Sequence, residues 1–197
     1  MAKTIAERTD EELAREARAG SRRSFDELAR RYKRRLFVYL RPRLGSDEDA
    51  EDLVQETFLK LYRNIAGYDP AFKFSTWLYT SANRLAIDSF RKRSAEKGHP
   101  AAERDLDIPD PAAGVGEGPA ASGLWEEART LGGDRYRVLW LRYGEDLSVE
   151  EIAAVLGRTR LAVRVLLHRA RTSLAGRLGP DMKRTPRTAA AGQAARD

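Results

Sequence analysis

Residues 147–174 read LSVEEIAAVLGRTRLAVRVLLHRARTSL. Ser148 followed three residues later by Glu151 is a capping box, and Leu147 and Ile152 stand where a hydrophobic staple closes, so a short helix opens here. Gly157 permits a tight turn, and Thr159 can cap a second, longer helix. Two helices joined by such a turn, the second rich in arginine, form the pattern of a DNA-reading helix-turn-helix.

On the second helix Val163, Leu166, Leu167, Ala170 and Leu174 recur at helical spacing and make the expected buried stripe. Arg160, Arg164 and Arg171 line one shoulder of the opposite face, and Arg169 lies on the other. Leu161, Val165, His168 and Thr172 fall between them. From Arg158 to Arg171 there are five arginines and no acid, whereas a solvated amphipathic helix interleaves both signs. DNA contact therefore outranks a plain basic face. Leu161 and Val165 are unusual on an outward face: they suit thymine methyls in a major groove, or else a protein partner.

The chain has 197 residues, a net charge of +6 and a pI near 9.7, which favours polyanion partners. It has no cysteine and two histidines, His99 and His168, so disulfides, thiolate zinc sites and a histidine metal cluster are excluded; no metal and no cofactor are expected. No apolar run approaches the ~20 residues that span a bilayer, and the N-terminal MAKTIAERTDEEL has no apolar signal core, so a cytoplasmic protein without membrane insertion is expected.

Strand signals are absent. The expected fold class is all-α: two small helical domains joined by a flexible linker, the second a helix-turn-helix. Residues 10–92 are dense in helical periodicity. Residues 93–123 hold Pro100, Pro109, Pro111 and Pro119, and six acids against three bases, and read as an acidic linker. Residues 124–178 become helical again, and 179–197 read as a basic, disordered tail. In the first domain four helices are expected: 10–19 capped by Thr9, 22–43 capped by Ser21, one from Ser46 to about residue 66, and 75–92.

The third of these turns Ala50, Leu53, Val54, Phe58, Leu61 and Ile65 to the core and Asp52, Gln55, Glu56, Leu59 and Arg63 away. Dipole compensation accounts for Asp47, Glu48 and Asp49 in its first turn, but not for Asp52 and Glu56, nor for Leu59 among polar groups. An acidic face with one apolar anchor suggests a protein-docking surface. A carboxylate-based nucleic-acid enzyme is the lesser reading, since no nucleophile–base pair, cofactor loop or histidine partner accompanies these acids. The fourth helix buries Leu78, Ala82, Leu85 and Ser89. Trp77, Thr80, Arg84, Ile87, Asp88 and Arg91 lie opposite, Asn83 beside them, and Lys92 near the end. A ring to stack on bases, cations for phosphates and an amide for a base edge suit unpaired nucleic acid. For Trp77 alone, core packing is an equal alternative.

The segments FDELARRY, DAEDLVQETFLKLYRN and FSTWLYTSANRLAIDSFRKR, followed by a linker and VLWLRYGEDLSVEEIAAVLG…VRVLLHRARTSL, together resemble a bacterial RNA polymerase sigma factor of the small extracytoplasmic-function type, over about residues 10–178. The resemblance implies a non-enzymatic initiation factor. Asp49, Asp52, Gln55, Glu56 and Leu59 would bind core RNA polymerase at its clamp, and the second domain would meet its flap. Trp77, Thr80, Asn83, Arg84, Asp88, Arg91 and Lys92 would hold the −10 element, duplex and then single-stranded. Arg158, Arg160, Leu161, Arg164, Val165, His168 and Arg169 would meet the −35 element. The linker would run through the polymerase cleft, and an anti-sigma factor is an expected partner. The chain departs from the family where the recognition helix opens: Leu161-Ala162-Val163-Arg164-Val165-Leu166 stands where small, hydroxyl-bearing and cationic residues are usual. A two-domain repressor or activator acting without polymerase is the remaining alternative, and it lacks a visible ligand pocket or dimer face.

Overall fold

The computed structural model describes residues 3–96 and 123–178. After a short 3-10 turn at Ile5–Glu7, the first domain runs α1 (Asp10–Arg18), α2 (Arg22–Leu44), α3 (Asp47–Arg63) and α4 (Phe74–Glu96). The second runs α5 (Gly123–Arg129), α6 (Gly133–Leu139), α7 (Val149–Leu156) and α8 (Arg160–Arg177), with a π turn at Trp140–Gly144 after α6. Among the described residues there is no strand, so the all-α expectation holds.

The helix starts follow the capping chemistry. Thr9 accepts from the Glu12 N–H at 3.1 Å while Glu12 reaches back to the Thr9 N–H, and Ser148 and Glu151 do the same for α7. Ser21, Ser46 and Thr159 cap α2, α3 and α8. Each such cap contributes ~1 kcal/mol by satisfying a donor the helix leaves open. Gly45 and Gly157 end α2 and α7 at φ of 75° and 63°, a left-handed conformation that only glycine adopts at little cost. Leu147 and Ile152, the staple pair, are fully buried.

In the first domain α2 packs on α1 and α3, and α3 on α4. Leu28, Leu36, Leu40, Leu61, Phe74, Leu78 and Ala82 fill its core. The core stripe of α3 is as expected at Ala50, Leu53, Val54 and Leu61; Thr57 joins it by donating its hydroxyl to the Leu53 carbonyl at 2.7 Å, and Phe58 is only partly covered. In the second domain α8 packs on α6 and α7, burying Val163, Leu167 and Ala170, while Leu166 and Leu174 are half-buried at its edge.

The linker boundary expected at residue 93 is too early. α4 continues to Glu96, and Arg93 is held by an ion pair to Asp49 at 2.8 Å. The rest of the linker, 97–122, and the tail, 179–197, lie outside the described residues. The two domains are packed together, α7 against α4 and α6 against α2. Among the described residues no helix is long and apolar enough to cross a membrane.

Candidate nucleic-acid and polymerase interfaces

On α3 the outward face is as the wheel requires. Asp52, Gln55, Glu56 and Leu59 are all exposed, Leu59 at 55%. A single leucine held in water beside three polar groups gains nothing until it is covered. Leu59 borders an open groove of about 680 Å³ between α2 and α3, floored by Phe25, Val54 and Phe58 and rimmed by Arg22, Arg30 and Lys33. Asp49 departs from this set, because its carboxylate is engaged by Arg93 of α4, which staples the start of α3 to the end of α4.

The α4 residues divide. Arg84, Asp88, Arg91 and Lys92 are exposed, and Thr80 is half-buried with its hydroxyl donating to the Thr76 carbonyl at 2.7 Å. Trp77 is half-buried, its ring 5.4 Å from Tyr68 and 6.1 Å from Phe74, so one part of it is core and another reaches solvent. Asn83 corrects the sequence reading. It was placed beside an open face, but it is 3% exposed, roofed by α7 of the second domain. Its Oδ1 accepts from Arg43 Nη1 at 2.8 Å, and its Nδ2 donates to the Val155 carbonyl at 2.9 Å. The amide orientation is fixed by chemistry, since a guanidinium only donates and a carbonyl only accepts. Thr76, which donates to Glu151 of α7, and Tyr79, against Glu145 and Trp140, are also buried by the second domain, so α4 has two covered sides where the wheel anticipated one.

Arg43 is a residue the sequence reading missed. It lies in the last turn of α2, 5% exposed, with its guanidinium 5.2 Å over the Phe90 ring. Burial, reinforced by the neighbouring Arg137, pushes its pKa down to about 10. The signal was present: Leu36, Leu40 and Arg43 continue one i, i+4, i+7 stripe, which puts an arginine on a core face. Also missed was the cluster around Glu145. Its side chain is fully buried. It accepts from Arg35 at 3.0 and 2.6 Å and from the Tyr79 hydroxyl at 2.6 Å. Burial raises the Glu145 pKa, against the opposing pull of Arg35 and Tyr79.

On α8, Leu161 is 71% and Val165 42% exposed, and Arg160, Arg164, His168 and Arg169 are exposed with them. The face read from the wheel is therefore real. At its N-terminal end two arginines already have partners: Arg160 pairs with Glu150 at 3.7 Å, and Arg158 with Asp134. The Arg160–Glu150 pair is exposed, where exchanging a carboxylate for a phosphate costs little, whereas Asp134 is half-buried and also pairs with buried Arg137.

Two family matches divide the chain as the geometry does. Sigma-70 region 2 matches residues 28–96, and Sigma-70, region 4 matches residues 129–174. The chain is 33% identical over 175 residues to the ECF RNA polymerase sigma factor BldN of Streptomyces coelicolor, covering 86% of this chain and 66% of that relative. It is 32% identical over 171 residues to the ECF RNA polymerase sigma factor SigW of Bacillus subtilis, covering 81% of this chain and 91% of that one. The chain belongs to the ECF RNA polymerase sigma factors. In overall shape this sigma factor is similar to RpoE of Bartonella quintana, solved in complex with the anti-sigma factor NepR, with a TM-score of 0.63 at 21% identity over 80% of this chain and 98% of that one. As a sigma factor it directs RNA polymerase to promoters for transcription initiation. Its first domain carries the exposed faces of α3 and α4, and its second presents α8.

Proposed function

We propose that the sigma factor docks on core polymerase through Asp52, Gln55, Glu56 and Leu59, holds −10 DNA on α4, and reads −35 DNA with α8, in the cytoplasm and without catalytic activity of its own. The observation that carries this reading is the pair of outward faces on α3 and α8. Each sets an exposed leucine among charges of one dominant sign, acidic on α3 and basic on α8. Acids suit a protein partner and arginines suit phosphate. Asp49 is withdrawn from direct docking and holds α3 in place through Arg93.

On α4, Arg84, Arg91 and Lys92 hold the strand, Trp77 offers the exposed part of its ring for stacking, and Thr80 and Asp88 flank the track. Asn83 reads a base once it is uncovered. With Oδ1 tied to Arg43, it presents a donor, so the base edge it meets is an acceptor. On α8, Arg164 reads guanine, Leu161 and Val165 contact thymine methyls, and Arg158, Arg160, His168 and Arg169 meet phosphate or neighbouring edges. An anti-sigma factor is the expected regulatory partner, and the apolar groove beside Leu59 is continuous with the docking face it would cover.

Run-off transcription with purified core polymerase and genomic promoter fragments tests the whole reading. Specific transcripts that require both proteins support it. DNA binding that is equally strong and specific without polymerase favours a free-standing regulator instead.

A further inference from the structure

The Tyr39 hydroxyl, Arg43 Nε and Arg137 Nε are buried and have no hydrogen-bond partner among the described residues. They meet in one place, the seam where α6 packs on α2. Tyr39 and Arg43 stand one turn apart on α2, 1% and 5% exposed, and Arg137 of α6 is 6% exposed. Tyr136, beside Arg137, donates to the Val38 carbonyl at 3.1 Å, which brings that stretch of α6 against Tyr39. Arg43 feels both neighbours, Arg137 pushing its pKa down and Tyr39 pushing it up. Arg129 brings a further cation, donating to the Tyr136 hydroxyl. The carboxylate that answers them is Asp134, 3.1 Å from Arg137, and it is shared with Arg158.

Each of the open atoms is a donor, and two of them belong to cations. Burial of such groups is tolerated where an acceptor reaches them. Arg43 commits Nη1 to Asn83 and lays its plane on the Phe90 ring, which leaves Nε for another partner. A single water has too few lone pairs for every one of these donors and carries no charge. An anion accepts from each and offsets the buried positive charge. We propose that the seam between α2 and α6 binds a small inorganic anion, a halide or a tetrahedral oxyanion, through the Tyr39 hydroxyl, Arg43 Nε and Arg137 Nε. Enclosure sets the size, since side chains this deeply covered leave no room for an organic acid. Arg43 and Arg137 come from different domains and repel one another across the seam, and an anion between them turns repulsion into a bridge. Stability then depends on which anion is in solution, beyond the screening that any salt provides.

The test uses the full chain in sodium gluconate, whose anion is too large for the seam. Gluconate is exchanged for chloride or for phosphate at constant ionic strength, and unfolding is followed by circular dichroism. A ligand that binds only the folded state raises the folding equilibrium by a factor of one plus its concentration over Kd. An anion at about ten times its Kd should therefore raise that equilibrium about tenfold and Tm by roughly 3–6 °C, on a saturating curve. A response to chloride alone identifies a halide site, a response to phosphate alone an oxyanion site, and a response to both a site that takes either.

Tyr39→Phe removes one donor that has no other partner to lose, so the variant should fold and be as stable as wild type in gluconate or more so. Its gain from the effective anion should shrink at least threefold. Arg137→Lys keeps the charge facing Asp134, removes Nε, and should shrink the gain in the same way. Phosphate also stabilises proteins by exclusion from their surface, and that part is not saturable and is equal in both variants. No saturable gain from either anion overturns the proposal. So does a saturable gain that both variants keep in full, because the anion then binds elsewhere.

Discussion

Asn83→Ala in the free sigma factor is the sharpest test of where this side chain sits. On an open helix face, removing an amide changes stability by less than ~0.5 kcal/mol. In the structure Asn83 is 3% exposed and stands between Arg43 Nη1 at 2.8 Å and the Val155 carbonyl at 2.9 Å. Alanine leaves both without a partner, where water has little room to replace it. An unpaired buried group costs ~1–3 kcal/mol, with charged groups at the upper end. Arg43 is already buried with its Nε unpaired, so it has no reserve of partners. The expected loss is about 2–5 kcal/mol, which in a chain of this size lowers Tm by roughly 5–15 °C. Urea unfolding followed by circular dichroism and tryptophan fluorescence measures it, with an unchanged m value showing that the unfolded state is the same. A loss below ~0.5 kcal/mol refutes the argument and returns Asn83 to an open face.

Replacing Asp52, Gln55, Glu56 and Leu59 together should weaken core-polymerase binding at least tenfold, with helicity and melting temperature unchanged because all four are exposed; unaltered affinity removes α3 from docking. A −35 library selected with wild type and with Arg164→Ala should lose preference at one base pair, worth ~1–3 kcal/mol, and identical logos would transfer the reading to Leu161 and Val165. Arg169→Ala should instead weaken all sequences alike and lower the salt slope by about one; loss of preference at a single position would make it a reader. Domain closure should also depend on acid. Glu145 faces Arg35 and Tyr32 of α2 and Tyr79 of α4, and burial raises its pKa when the domains are docked. The Glu145 contribution to closure therefore strengthens as pH falls through that raised value and weakens as pH rises through it, while Glu151, whose pKa is lowered in part by Thr76 and Lys73, contributes in the opposite sense. Energy transfer between dyes on Ala19→Cys and Ala175→Cys, exposed positions in the two domains, measured against pH for wild type and for Glu145→Gln, isolates the Glu145 part and checks its sign.

The sequence by itself determined features that depend on neighbours along the chain. The cap at Thr9, the capping box at Ser148, the glycine turn at Gly157 and the outward faces of α3 and α8 all follow from side-chain spacing on one helix. Spacing also places Leu161 and Val165 in solvent, because the stripe of Val163, Leu167 and Ala170 leaves them no core to enter. The tertiary structure alone decided what covers α4. A wheel assigns one buried side to a helix, and α4 has two: one against α2 and α3, one against α7, which begins more than fifty residues further along the chain. For that reason Asn83 reads as a residue beside an open face and is in fact enclosed, together with Tyr79. Glu145, which no spacing singles out, is the shared acceptor of Arg35 and Tyr79. Burial of a polar group is tolerated only where its partners arrive from elsewhere in the fold. Those partners are set by packing between domains, which no periodicity within a single helix encodes.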